Sequence, residues 1–309
     1  MFIEFNKSEV NYMSIRNIGF ACMSLKCNTK YKTFRLANFN EHKLYQTVLH
    51  NIKETERTIR QCSIDGIKMF RLSSDIVPFA THEVVKGIDF MSWIRNDLKN
   101  IGKLCKDNEI RFSMHPSQIV NINSPSKDVV KASIKDLIYH YNILNSMRLE
   151  MDDDFNIIIH VGGMYGDKVE AIKRFIKVFN KLPEQLRNHI VLENDDKSYT
   201  INDVMEIHKY TGVKIVLDIH HMYCNNDISE LDLKSVFDTW GGKIPKIHIS
   251  SPKSDKEFRS HADVIDFDYC KEFLKQAEGY EFDVMLECKN KDLAVDKFKK
   301  DLMEYKNNS

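Results

Sequence analysis

The chain is 309 residues long, 42% hydrophobic and 29% charged, a balance that supports a buried core and lies outside the range of disordered chains. Lys plus Arg and Asp plus Glu are 45 each, which excludes a global positive field, so any contact with nucleic acid has to come from a local patch. No apolar run approaches the roughly 18 residues of a membrane span, and the seven cysteines form no CxxC pair, as expected of reduced thiols in a cytoplasm.

Residues 1–13, opening "MFIEFNKSEVNY", are polar and carry no signal-like apolar segment. They are read as a tail without an assigned function, with residues 14–309 as a single domain. Strand-like runs then follow at "IRNIGFA" (15–21), "IKMFRLS" (67–73), "IRFSMH" (110–115), "NIIIHV" (156–161), "IVLE" (190–193), "KIVLD" (214–218), "KIHIS" (246–250) and "FDVMLE" (282–287). Each precedes a segment of helical period. After the first, Leu44, Val48, Leu49, Ile52 and Ile59 share one face; after the third, Val130, Ile134, Leu137, Tyr141 and Leu144 do the same. Eight such pairs, with no Gly-, Pro- or Ser-rich linker, predict one closed (β/α)8 TIM barrel of the α/β class, a fold that typically uses about 250 residues.

Catalytic groups in such barrels project from the C-terminal strand ends. Seven of the twelve histidines, His82, His115, His160, His220, His221, His248 and His261, lie at a strand end or in the loop after one, and Glu193, Asp218 and Glu287 each close an apolar run. A lone histidine there is more often a hydrogen-bonded rim residue than a ligand. This many imidazoles with three carboxylates around one mouth instead predicts divalent cations, because the carboxylates would otherwise repel. Imidazole and carboxylate without thiolate suits Mn²⁺, Zn²⁺ or Fe²⁺, and the number of groups suggests two or three ions, as suits displacement at phosphorus.

Strand parity places Lys246 on the same face as His248. An ordinary lysine there is a rim charge; beside a metal cluster it could act as a base or, carbamylated, as an anionic ligand. Parity also pairs Asp218 with His220 rather than His221, leaving open which of the two adjacent histidines is the ligand.

The blocks "FRLSSDIVPFATH" (70–82), "SMHPSQ" (113–118), "IIHVGGMYGDK" (158–168 region), "VLENDDKSYT" (191–200), "LDIHHMY" (217–223), "KIHISSPKSDKEFRSHAD" (246–263) and "DVMLECKNKD" (283–292) together resemble the UV damage endonuclease (UVDE) family. That resemblance implies a TIM barrel with up to three divalent ions, commonly manganese with Zn²⁺ or Mg²⁺ as alternatives. It implies a DNA repair enzyme that nicks duplex DNA immediately 5′ of UV photoproducts such as cyclobutane dimers. Carried over by motif, the metal ligands would be His82, His115, His160, Glu193, Asp218, His221, His248, His261 and Glu287, since the family pattern DxxH selects His221. Lys246 matches a lysine that the family can carry in modified form, and Glu287, Lys246 and His248 are the expected catalytic groups. Hydrolysis would leave a 3′-hydroxyl and a 5′-phosphate, with 6-4 products and abasic sites as further substrates.

A lesion inside a duplex cannot reach a recessed cluster without being flipped, so probing side chains are expected to fill the gap. The resemblance places them at Phe20, Gln118 and Ile119, where the family usually carries an aromatic at the last position. Lys253, Lys256 and Arg259 in "SPKSDKEFRSH" are candidate phosphate contacts, with Lys168 and Lys197 weaker ones. Damaged double-stranded DNA is thus the expected partner, with no membrane and a monomeric enzyme. A metal-dependent sugar isomerase on the same barrel is one rival, opposed by the joint HPSQ, LENDD and SPKSDKEFRSHAD blocks. A noncatalytic damage-binding protein is another, opposed by a ligand set with no member missing.

Overall fold

A computed structural model describes residues 14–117, 119–148, 155–225 and 231–308 of the chain. Residues 1–13, read above as a tail, and Gln118 lie outside them. The eight strand-like runs become β1 (Ser14–Ala21), β2 (Met69–Leu72), β3 (Arg111–Met114), β4 (Asn156–His160), β5 (Ile190–Glu193), β6 (Lys214–Asp218), β7 (Lys246–Ile249) and β8 (Glu281–Leu286). All neighbours pair in parallel and β8 closes on β1, which makes the predicted barrel.

Helices α1 (Glu41–Ile64), α2 (Phe90–Asp107), α3 (Lys127–Met147), α4 (Lys168–Phe179), α5 (Glu184–Arg187), α6 (Ile201–Thr211), α7 (Ile219–Cys224), α8 (Leu233–Asp238), α9 (Phe267–Gln276) and α10 (Lys291–Asn308) fill the connections. Their starts are written in the sequence. Asn40, Asp89, Ser126, Asp167, Thr200, Asp218, Asp232 and Asp266 each accept a main-chain N–H of the first turn, a device worth about 1 kcal/mol apiece. The helices bury Leu44, Val48, Ile52, Leu98, Leu137 and Phe175, among others, against the outer faces of the strands. Among the described residues, no helix is long and apolar enough to cross a membrane, and all seven cysteines are free thiols.

Alternate residues point into the barrel and form tiers. At the N-terminal end, fully buried Asp283 accepts from Arg16 (2.9 Å), Arg111 (2.8 Å) and Asn17 (3.0 Å). Successive residues Arg16 and Asn17 both reach it because the β1–β8 register shifts between Ile15 and Ile18, as a bulge allows. Above lies an apolar tier of Ile158, Val191 and Val216 with Trp240, and of Ala21, Met69 and Met285. Gly19 is required here, since an added Cβ would stand 2.2 Å from the Met69 carbonyl oxygen. The tier at the C-terminal end carries the chemistry.

Candidate active site

Strand register sets the ligands at one height. His160 of β4 lies beside Glu193 of β5, and Asp218 of β6 lies beside His248 of β7. His115 follows β3 and Glu287 follows β8, while the bridge between Pro252 and His261 folds the β7–α9 loop back to bring His261 to the mouth.

Glu193 is the hub. Its Oε2 lies 3.0 Å from His115 Nε2 and 3.6 Å from His160 Nε2, and its Oε1 accepts from His248 Nδ1 at 2.7 Å. His248 Nδ1 is also 3.1 Å from Glu287 Oε1, and His221 Nδ1 lies 3.9 Å from both Glu193 and Asp218. His261 Nδ1 is 3.7 Å from Glu287 Oε2. Ligand atoms of His115, His160 and Glu193 fall within 4.8 Å of one another, as do those of Glu193, Asp218, His248 and Glu287. Glu193 belongs to both groups.

Burial opposes a charged imidazole at His221 and His248, but carboxylates outweigh it and push each up to about 9: Asp218, Glu193 and Glu287 act on His221, and Glu193 and Glu287 on His248. Burial likewise works against the anions of Glu193 and Glu287, yet His248 and His160 around the first, and Arg71 and His248 around the second, hold both well below the usual carboxylate range. Burial pushes Asp218 up and His160 down.

The residues fit divalent ions. Asp218 Oδ2, His160 Nδ1 and His248 Nε2 are buried without a hydrogen-bond partner among the described residues, in a protein interior where such atoms are normally satisfied. His115 Nδ1 faces the Pro116 carbonyl at 2.9 Å, and because a carbonyl only accepts, that nitrogen carries the proton. Its Nε2 then faces a second acceptor, Glu193, an arrangement a cation between them would suit. Hard carboxylates with imidazoles that lose their proton on binding an ion suit Mn²⁺ or Zn²⁺ chemistry.

His221 stands in the site and His220 does not. α7 begins directly after Asp218, whose Oδ1 caps the His221 N–H at 2.8 Å, so helical spacing rather than strand alternation governs which ring returns to Asp218. The His220 ring instead meets the Tyr269 hydroxyl at 2.9 Å and packs near Phe258. Lys246 is fully buried on β7, one inward step below His248 and in register with Asp283. His82 lies at the exposed rim and outside both ligand groups, its Nδ1 accepting the Val84 N–H at 3.0 Å.

The expected DNA contacts fare unequally. Phe20 is a correction: it has no exposed surface and packs edge-to-face on Phe70, 5.2 Å between centroids, because its strand parity points it outward under the helices. It offers DNA nothing in this position. Ile119, by contrast, is 74% exposed at the mouth, and Gln118 beside it is outside the described residues. In the basic loop, Lys253 pairs with Glu257 at 2.6 Å and Arg259 reaches Asp196, whereas Lys256 is exposed. Lys168 is tied to Asp203 at 2.5 Å.

Two residues of the site were not singled out from the sequence. Arg71, on the inward face of β2, contacts Glu287 directly, and its position two residues after inward-facing Met69 is the signal that could have found it. Asn194 clamps the end of β6, its Oδ1 accepting from Asp218 N at 2.8 Å and its Nδ2 donating to Asp218 O at 2.9 Å. Its own carbonyl accepts from His221 Nδ1 at 2.9 Å, so one residue orients two ligand candidates.

Residues 16–309 match the UV-endonuclease UvdE family. The chain is 40% identical over 262 residues to a UV DNA damage endonuclease of Bacillus mycoides (strain KBAB4), covering 82% of this chain and 81% of that protein. It is 39% identical over 269 residues to a protein of the same description from Bacillus thuringiensis subsp. konkukian (strain 97-27), covering 85% and 84%. Among solved structures, the crystal structure of SacUVDE superposes with a TM-score of 0.86 at 31% identity, covering 94% of this chain and 99% of that one. A D-tagatose 3-epimerase-like protein, at 16% identity and a TM-score of 0.57, shares the fold alone. A match running from the first barrel strand through the last helix, with relatives of this identity and coverage, means that the chain belongs to the UV-endonuclease UvdE family.

Proposed function

We propose that the protein is a metal-dependent DNA repair endonuclease that nicks duplex DNA immediately 5′ of UV photoproducts. Cyclobutane dimers are its primary lesion, with 6-4 products and abasic sites as further substrates, and the products carry a 3′-hydroxyl and a 5′-phosphate. The observation that carries the reading is Glu193, a buried carboxylate shared between a His115–His160 group and an Asp218–His248–Glu287 group. Adjacent sites sharing one carboxylate are what an in-line displacement at phosphorus uses. The named relatives supply the substrate class.

His115, His160, Glu193, Asp218, His221, His248, His261 and Glu287 would hold two or three ions, manganese first and Zn²⁺ or Mg²⁺ as alternatives, with His82 a ligand at the rim. Bound there, such ions supply charge neutralisation at the scissile phosphate and a water acidic enough to lose its proton near neutral pH. The chain's own part is to orient and exclude. Arg71 and His248 brace the Glu287 carboxylate, and Asn194 fixes Asp218 and His221. Lys246, buried below His248, is assigned either as a base or, carbamylated, as an anionic ligand. Ile119, which is exposed, would wedge into the gap left by flipped nucleotides, and exposed Lys256 would meet phosphate. The enzyme would act as a monomer in the cytoplasm.

The test is an end-labelled duplex carrying one cyclobutane dimer, beside its undamaged twin, incubated with metal-reconstituted protein and with Glu287→Gln. A Mn²⁺-dependent nick immediately 5′ of the dimer, absent from both controls, is expected. No cleavage in Mn²⁺, Zn²⁺ or Mg²⁺ despite tight metal binding would overturn the reading.

A further inference from the structure

The β4–α4 loop holds a side chain for which the proposed chemistry has no use. Tyr165 lies at φ 54°, in the left-handed region that bulky residues rarely occupy, and it is 45% exposed. A residue stays in such a conformation only when its surroundings over-determine it. Here they do. The Asp167 N–H donates to the Met164 carbonyl at 3.1 Å and closes the turn, and Asp167 then caps α4. The hydroxyl end of the ring lies against Gly163, where an added Cβ would stand 3.0 Å from Cε2 and Cζ.

Behind the ring, the Arg174 guanidinium carbon lies 5.6 Å from the centroid, and Arg174 Nε is itself held by the Asn123 carbonyl at 2.8 Å. The Gly163 carbonyl is fixed in turn by Asn123 Nδ2 at 2.8 Å and the Tyr199 hydroxyl at 3.0 Å. The ring is therefore both open to solvent and fixed in place.

It is also well sited. Gly163, on which the ring rests, lines a cleft of about 290 Å³ between the β3–α3, β4–α4 and β5–α6 loops. Pro116, Val120 and Ile159 give that cleft apolar wall, and His160 and His221 stand in it, which joins it to the ligand cluster. Ile119, on the neighbouring loop, can wedge but has no π face.

We infer that Tyr165 is a base-stacking residue, receiving on its open side a nucleobase that has left the duplex stack beside the lesion. The inference rests on the endonuclease reading above. Every base has a π face, so a fixed aromatic ring accepts any of them, and a cation behind the ring adds to the attraction. The base comes either from the damaged strand or from the strand opposite it.

The experiment measures binding of metal-loaded wild-type, Tyr165→Phe and Tyr165→Ala proteins to a duplex with a single cyclobutane dimer and to its undamaged twin. Matched damaged duplexes carry an abasic residue either opposite the lesion or adjacent to it. Tyr165→Ala is expected to weaken binding to the damaged duplex on the order of tenfold, the scale of one base–aromatic stack. Tyr165→Phe should retain wild-type affinity, and metal content should not change. The loss should vanish when the stacked base is already missing, and the abasic duplex on which it vanishes identifies the strand. An equal loss on damaged and undamaged DNA that survives both base deletions would overturn stacking, as would no loss at all. Should the wild type fail to discriminate damage, the endonuclease reading fails by itself. Stacking is then judged on a single-stranded oligonucleotide containing 2-aminopurine: quenching lost in Tyr165→Ala and kept in Tyr165→Phe supports it, and equal quenching in all three refutes it.

Discussion

Replacing Asp283 with Asn separates the end of the barrel that holds the fold together from the end that carries the chemistry. The Asp283 carboxylate is fully buried and meets two guanidinium groups of unlike surroundings: the Arg16 side chain is 40% exposed and that of Arg111 only 4%. The exposed pair is screened and contributes about 1 kcal/mol or less. Removing the anion beside Arg111 takes away a buried carboxylate partner of a buried guanidinium, a change of the kind that costs about 3–5 kcal/mol. Asparagine keeps one acceptor, so the lower end applies, near 3 kcal/mol. At about 2 °C per kcal/mol for a chain of this size, Tm should fall by roughly 6 °C.

The pH dependence follows from the same contacts. Burial works against the Asp283 anion, but Arg16 and Arg111 more than offset it, so the folded pKa lies below the unfolded value of about 3.9. A depressed carboxyl contributes stability that is fully present above the unfolded pKa and is lost as pH falls through the folded one. The gap between wild type and Asp283→Asn, followed by circular dichroism melts, should stay constant from pH 7 to 5 and close below about pH 4. Metal content at Glu193, Asp218, His248 and Glu287 should be unchanged, because an apolar tier lies between these residues and Asp283, whereas Lys246, in register with Asp283, is the one assigned group the substitution reaches. A stability change under about 1 kcal/mol, or a gap that persists in acid, would refute the ion-pair account.

Glu193→Gln should lower metal content at both ligand groups together, measured by elemental analysis after dialysis; loss confined to one equivalent would show that the carboxylate is not shared. His115→Ala should reduce metal affinity more than His82→Ala. His82 must first release the Val84 N–H that occupies its Nδ1, whereas the Nε2 of His115 already faces Glu193, and metal titration of the two variants gives the order. Phe20→Leu should cost about 1–2 kcal/mol in urea unfolding and leave discrimination between damaged and undamaged duplex intact; lost discrimination at full stability would contradict its buried position.

The barrel was legible because short strand-like runs alternate with segments of helical period, both local signals. β6 over Lys214–Asp218 and β5 over Ile190–Glu193 coincide with the runs read from sequence, and the other strands differ from them by one or two residues at one or both ends. The site was legible in part, since a histidine or carboxylate at a strand end announces itself. What escaped depends on direction rather than composition. Alternation alone pairs Asp218 with His220 because it assumes the strand continues, and His221 was selected only by the DxxH pattern of the resemblance; the Asp218 cap starts a helix at that point. Phe20 was expected as a probe because the family resemblance places one near the end of the first strand, but parity turns its ring away from the mouth. Asn194 escaped because it acts through main-chain atoms, which no motif of side chains records.

One rule connects Asp218, His115, His221 and His261 and explains why His82 differs. Asp218 spends Oδ1 on the His221 N–H and leaves Oδ2 without a partner among the described residues. His115, His221 and His261 each donate Nδ1–H to a carbonyl, of Pro116, Asn194 and Glu287 respectively. One polar atom anchors the side chain to the backbone and the other is left for the centre, so the rotamer and, when the ring is neutral, the tautomer are set before any ion arrives. His82 runs the other way. Its Nδ1 accepts from a main-chain N–H, so in the neutral ring Nε2 carries the proton and offers no lone pair. The barrel therefore presents four preorganised side chains near Glu193 and a rim histidine that must change its hydrogen bond to join, and an ion held through His82 would on this account be the last to bind in a metal titration and the first lost on dialysis.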